Sequence, residues 1–129
     1  MDRFAIDDSF RPAFWLRGAH RQSILPSLPL RRGVVEKRAL ALLAASRELL
    51  LDCGDGVVLQ AFESRQATRG RAPGHSVAVL LHGWEGSAES LYILSLATQL
   101  FEQGYDIVRL NLRDHGATHH LNRDLFHSC

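Results

Sequence analysis

The chain has 129 residues, 46% of them hydrophobic, and a formal net charge of +1. That length suits one ordinary soluble domain with a single core, and the near-neutral charge excludes bulk attraction to an acidic partner. Lys37 is the only lysine among 15 basic residues, and the bases of the first 50 residues are scattered rather than interleaved with aromatics, so nucleic acid is not an expected partner.

The N-terminus carries Asp2, Asp7 and Asp8 where a signal peptide would be basic, and no long apolar stretch follows. No run approaches the ~20 apolar residues that span a bilayer. Cys53 lies beside a turn and Cys129 is the last residue, which is no disulfide framework. A reduced, cytoplasmic protein is the expectation. Pro12, Pro26 and Pro29 argue against long helices in residues 1–33. Phe10, Phe14, Trp15, Ile24, Leu25 and Leu28 give that segment apolar surface, so residues 1–46 are expected to wrap a core formed by 47–129. Within the wrapping segment, the Ala- and Leu-rich stretch 35–47 predicts a helix.

Residues 47–63 predict a hairpin. Leu49-Leu50-Leu51 and Val57-Val58-Leu59 flank Asp52-Cys53-Gly54-Asp55-Gly56, whose Asp and Gly residues suit a tight turn. Asp52 and Asp55 belong to that turn rather than to an acid–base pair. Residues 64–76 predict an exposed loop. The continuous apolar run Val77 to Leu81 predicts a strand buried on both faces. It stops at His82-Gly83, Gly86 follows, and Ser87 or Ser90 can cap a helix from about Leu91 to Gln103. Leu91, Leu94, Ala97, Leu100 and Phe101 then share a stripe, and Gly104 ends the helix. Asp106 to Leu112 predicts the next strand, so 77–112 is a parallel βαβ unit with a right-handed crossover. The fold class is α/β.

The loop after a strand in such a unit is where chemistry tends to sit. Gly83 lets backbone N–H groups approach a ligand, and the helix N-terminus adds positive partial charge there. Together these can form an oxyanion hole, which stabilises the negative oxygen of a tetrahedral intermediate. Gly83-x-x-Gly86 is too short for a dinucleotide fingerprint or a P-loop, so no cofactor is expected. His115 and His119 have i, i+4 spacing, with His120 and Asp114 nearby. Gly116 and Thr118 oppose a helix there, and no metal is expected. Gly74-His75-Ser76-Val77-Ala78 imitates a nucleophile elbow, but Ser76 precedes a strand rather than following one.

Several segments together resemble the α/β-hydrolase superfamily, in its YheT-like branch. They are Phe14-Trp15-Leu16-Arg17-Gly18-Ala19-His20 with Gln22, Arg47-Glu48-Leu49 with Asp52-Cys53-Gly54-Asp55-Gly56, and Leu80-Leu81-His82-Gly83-Trp84-Glu85-Gly86-Ser87. Gly104-Tyr105 and Arg109-Leu110-Asn111-Leu112-Arg113-Asp114-His115-Gly116 complete the set. The resemblance implies the N-terminal part of a hydrolase fold, a β-hairpin followed by a parallel βαβ unit. It implies serine-dependent hydrolysis of a small ester or related acyl compound. Trp84 would donate the oxyanion-hole N–H, His82 and Gly83 would form its loop, and Asn111, Arg113 and His115 would fix the loop after the second strand. Nucleophile, acid and histidine fall downstream of the matched region in such enzymes, so the chain alone is expected to be inactive. A C-terminal hydrolase half or a second copy is the expected partner. A non-catalytic α/β domain that associates through an open sheet edge is the alternative.

Overall fold

A computed structural model describes residues 11–27, 31–74 and 76–125. Phe10, Leu28, His75 and Cys129 lie outside them. The chain divides into two compact units, Met1–Arg31 and Arg32–Cys129. In the first, a single 3-10 turn at Phe14–Leu16 precedes helix α1, Ala19–Ser27. Gln22 Nε2 donates to Leu16 O at 2.7 Å and ties the two together.

The second unit is an α/β arrangement built on a mixed four-stranded sheet. Helix α2 spans Arg32–Ala44, three residues earlier at each end than the composition of 35–47 suggested. It ends there because Ser46 already pairs with Ser64. Strands β1 (Ser46–Asp52) and β2 (Val58–Ser64) form an antiparallel hairpin in register from Ser46↔Ser64 to Asp52↔Val58. Asp52 Oδ1 accepts from Gly54 N at 2.9 Å, and Gly54, Asp55 and Gly56 all take positive φ. This is the tight turn that the Asp and Gly residues favour. Strand β3 (Val77–Leu81), helix α3 (Leu91–Glu102) and strand β4 (Asp106–Leu110) follow. The last strand is shorter than expected: Asn111 N still donates to Gln60 O of β2 at 2.8 Å, but Leu112 N turns away to His82 Nε2. The sheet order is β1-β2-β4-β3, with β4 parallel to β3 and antiparallel to β2.

Register assigns the two faces. Ala78, Leu80, Ile107, Arg109, Phe62 and Ser64 share one face. Leu42 and Ala45, with Ala97 and Phe101 of α3, pack with Ile107 as the core on this side. Val77, Val79, Leu81, Val108, Leu110 and Ala61 share the other. Here the sequence expectation fails. Val77, Val79 and Leu81 are 62%, 59% and 56% exposed, so β3 is buried on one face only. Its position at the end of the strand order also leaves one ladder edge without a strand among the described residues.

The segment 64–76 is not simply an exposed loop. It contains a 3-10 turn at Gln66–Arg69 whose first residue is buried. Gln66 Nε2 donates to Phe101 O at 2.6 Å and Tyr105 O at 2.9 Å, and Gln66 N donates to Asp106 Oδ1 at 2.7 Å. The turn therefore adds a second donor to Phe101 O, which already accepts from Gly104 N at 3.1 Å, and satisfies Tyr105 O just beyond the end of α3. No helix among the described residues is long and apolar enough to cross a membrane.

Glu63 sits between two arginines on the less covered face. Arg47 Nε reaches it at 2.6 Å across the hairpin and Arg65 NH2 at 2.8 Å. Burial pushes the carboxyl pKa up, but the hydrogen bonds from Arg65 and Arg47 outweigh it and hold it below the ordinary value. Stability from this cluster is therefore present above the unfolded-state pKa and lost as pH falls through the lowered folded value. Both arginines are more than half exposed, so solvent screens the attraction. Glu63→Gln should cost about 0.5–1 kcal/mol at pH 7, and the deficit should close in acid. Urea midpoints of both proteins at several pH values check this; a deficit that persists unchanged at pH 2 would contradict it.

Candidate functional site at the carboxyl end of the parallel strands

Two loops meet beyond the carboxyl ends of β3 and β4. The first, residues 82–90, joins β3 to α3. The second begins at Asn111. The apolar strand residues end at Leu81, and His82 turns inward, only 5% exposed. Its Nε2 lies 3.1 Å from Leu112 N, which can only donate, so Nε2 accepts. The ring proton therefore sits on Nδ1, which donates to Gly83 O at 2.8 Å. Both nitrogens are engaged, and the ring also lies against His115, with centroids 4.8 Å apart and planes tilted by 39°. His82 is a clamp between the two loops, with no free nitrogen for proton transfer in this state.

Gly83 N donates to the Tyr92 hydroxyl at 2.6 Å, and Gly83 O accepts from Gly86 N at 3.0 Å to close a tight turn. Glu85 occupies its third position with φ of 54°, the left-handed region usually left to glycine. Gly86 has no spare room. A Cβ there would stand 2.9 Å from Tyr92 Oη, 3.0 Å from Gly83 O and 3.1 Å from His82 Cβ. The glycine is needed for close approach of the chain to itself.

Farther along, Ser90 occupies the N-cap position of α3 but makes no side-chain cap bond. Its hydroxyl instead accepts from Ser87 N at 2.9 Å, and Ser87 Oγ accepts from Glu89 N at 3.2 Å. Ala88, buried between them, is held from both sides. Its N–H donates to Asn111 Oδ1 at 2.7 Å, and its carbonyl accepts from Arg109 NH1 at 2.8 Å.

These contacts use the N–H groups of Gly83, Gly86, Ser87, Ala88 and Glu89. Trp84 and Glu85 N–H find no acceptor among the described residues, and the Trp84 side chain is 80% exposed. The loop thus presents two adjacent unbonded donors on a braced glycine turn. Chemically, such a pair can receive one anionic oxygen.

Comparison with protein-family models, with curated proteins and with solved structures returns no match. The site therefore stands on its geometry.

Asn111 was expected from the resemblance to fix the second loop, whereas the other supporting residues, Arg109, Tyr92 and Gln60 among them, carried no such expectation. Arg109 is 2% exposed in the middle of a strand. NH2 donates to Ser46 Oγ at 3.0 Å, and the guanidinium lies 5.2 Å from the Phe62 ring centroid. Burial pulls its pKa below the usual guanidinium value, while Glu89 acts in the opposite direction. Its Nε has no partner among the described residues. A charged residue inside Ile107-Val108-Arg109-Leu110 was the available signal, since arginine is seldom fully buried. Asn111 Nδ2 donates to Gln60 Oε1 at 2.6 Å, which links the second loop to β2. Gly116, with φ of 65°, passes so close that a Cβ would stand 2.7 Å from Asn111 Nδ2. Tyr92 and Gln60 carried no local signal at all.

The remaining candidates are dispersed. Ser76 lies at the start of β3, and its carbonyl accepts from Asp106 N at 3.0 Å. His119 Nδ1 contacts Asp114 Oδ1 on the surface. His115 Nδ1 lies 2.9 Å from Arg113 O. His120 is exposed, and no described group of three His, Cys, Asp or Glu residues is placed to hold a metal ion. Cys53 is exposed at the hairpin turn.

Proposed function

We propose that the chain is the N-terminal portion of an α/β-hydrolase whose parent activity is serine-dependent hydrolysis of carboxylic esters or related acyl compounds. The observation that carries the reading is the pair of unbonded N–H groups at Trp84 and Glu85, at the carboxyl end of a parallel strand. In this reading Trp84 N–H is one donor to the tetrahedral oxyanion, with His82 and Gly83 holding its loop. The nucleophile, the acid and the catalytic histidine come from a C-terminal half.

Topology gives independent support. Parallel sheets bury both faces under helices, and α3 covers only the Ala78 face of β3. With right-handed crossovers, β3 to β4 through α3 runs one way along the sheet. A further crossover from β4 to a strand beside β3 runs the other way. Its helix must then lie over the opposite face, where Val77, Val79 and Leu81 are exposed. One added strand and helix would satisfy the open edge and the bare face together. The His82 loop would then lie at the switch point, where open α/β sheets bind ligands.

The same exposed edge favours a second reading, a non-catalytic domain that assembles through β3. A fluorophosphonate probe and a p-nitrophenyl ester separate the two. The chain alone should label at no serine, Ser76 included. Adding a C-terminal hydrolase half that carries Gly-x-Ser-x-Gly should restore labelling and ester turnover. Trp84→Pro, which removes the donor N–H, should then lower turnover by ~10²–10³. Labelling of Ser76 in the chain alone would overturn the assignment. Absence of any restored turnover, with light scattering showing self-assembly that Val79→Lys abolishes, would favour the second reading.

A further inference from the structure

A second concave feature lies at the other end of the sheet. A cavity of about 160 Å³ is lined by Arg38, Leu42, Arg69, Arg71, Phe101 and Glu102, among others. These come from α2, from the turn after β2 and from the last part of α3. The loop of Trp84 lies before the first turn of that helix, whose 12 residues span roughly 18 Å. The two sites are therefore separate.

We propose that this cavity binds a small phosphate monoester through Arg38, Arg69 and Arg71. None of the three guanidinium groups makes an ion pair among the described residues, and neither does Glu102. Three cations and one carboxylate leave a local excess of two positive charges. A phosphate monoester carries about −1.5 to −2 at neutral pH, which matches that excess. Guanidinium groups also fit phosphate oxygens as planar forks.

Arg69 is placed before any ligand arrives, and the backbone that carries Arg71 is tied down beside it. Arg69 closes the 3-10 turn, and its guanidinium lies over the Phe101 ring at 5.6 Å. Gly70 follows with φ of 69°, and Arg71 N donates back to Gln66 O at 3.4 Å. Phe101 O does not compete for these cations, because it already accepts from Gln66 Nε2 and from Gly104 N. Leu42 and Phe101 are almost fully buried behind the cavity, so its apolar lining is the exposed Ala41 with the aliphatic stems of the arginines. That lining distinguishes an organic monoester from inorganic phosphate, since it can lie against the carbon body while the guanidinium groups hold the oxygens.

Calorimetric titration of the whole chain with phenyl phosphate tests the site. Inorganic phosphate and sodium chloride at matched ionic strength serve as the other arms. Phenyl phosphate should bind more tightly than inorganic phosphate, and chloride should give no saturable heat. The double variant Arg69→Gln/Arg71→Gln should weaken binding at least roughly tenfold. Both side chains are exposed, so the fold should survive, and far-UV circular dichroism verifies it. Glu102→Gln removes the one like charge and should tighten binding by a few-fold, a gain that misfolding cannot produce. Arg123→Gln, outside the cavity, should change nothing. The proposal is overturned by any of three outcomes: no saturable binding of phenyl phosphate at millimolar concentration, equal affinity for inorganic phosphate, or arginine and Glu102 variants that bind like the parent.

Discussion

Replacing Arg109 with alanine is expected to destabilise the sheet unit by about 3–5 kcal/mol. The side chain is buried, and three things go at once. Ala88 O loses its donor at 2.8 Å, Ser46 Oγ loses its contact at 3.0 Å, and the Phe62 ring loses the cation above it. A cavity replaces the guanidinium beneath the loop. Domains have only about 5–15 kcal/mol in total, so the thermal midpoint should drop on the order of 15 °C. Arg109→Met separates the causes. It keeps most of the volume and removes the buried charge whose desolvation lowers the arginine pKa. It still leaves Ala88 O unpaired, so the expected loss is only about 1–2 kcal/mol. Thermal unfolding followed by circular dichroism compares the two. An alanine variant that melts within ~3 °C of the parent would contradict the bracing role of Arg109.

Asn111→Leu should cost about 2–4 kcal/mol, because it orphans two groups that water does not reach well. Ala88 N–H loses Oδ1 at 2.7 Å, and Gln60 Oε1 loses Nδ2 at 2.6 Å. Leucine keeps the branched shape and heavy-atom count, so no cavity opens, and the effect reports the lost hydrogen bonds together with the tighter fit of two methyl groups beside Gly116. Two readouts check it. Urea unfolding gives the stability, and hydrogen exchange at the Ala88 amide should accelerate relative to amides in the β1–β2 hairpin. Arg109 and Asn111 hold the same residue from opposite sides. Their single-variant effects should therefore be non-additive by at least about 0.5 kcal/mol in a double-mutant cycle with alanine at 109. Strict additivity, with unchanged Ala88 exchange in Asn111→Leu, would show that the two residues do not act through Ala88.

The parts legible in the sequence are those fixed by local chemistry. The Asp52 to Gly56 turn follows from residues that accept positive φ and bond their own backbone. Helix α3 follows from the spacing of Leu94, Ala97 and Phe101 along one stripe, and its end from Gly104 at φ of 94°. The run Val77 to Leu81 specified a strand. So did Ile107, Val108 and Leu110, and the two strands with the helix between them made an α/β chain legible in the sequence. His82, Gly83 and Trp84 were legible as members of one loop after a strand. Their separate conditions were not: His82 with both nitrogens bonded, Gly83 N–H taken by Tyr92, Trp84 N–H unbonded.

Only tertiary structure decided the rest. A continuous apolar run states that a strand avoids water, but not what lies over each face. The exposure of Val77, Val79 and Leu81 depends on elements far away in the chain, so no period within the run encodes it. The insertion of β4 between β2 and β3 is likewise a matter of non-local pairing. It carries Asn111 beside Gln60 and sets Arg109 opposite Phe62. Gln66 looked like an ordinary loop residue because its partners, Phe101, Tyr105 and Asp106, lie 35 to 40 positions onward. Side-chain amides and guanidinium groups carry no periodic signature. Their roles appear only when folding removes water and leaves specific backbone groups that must be satisfied.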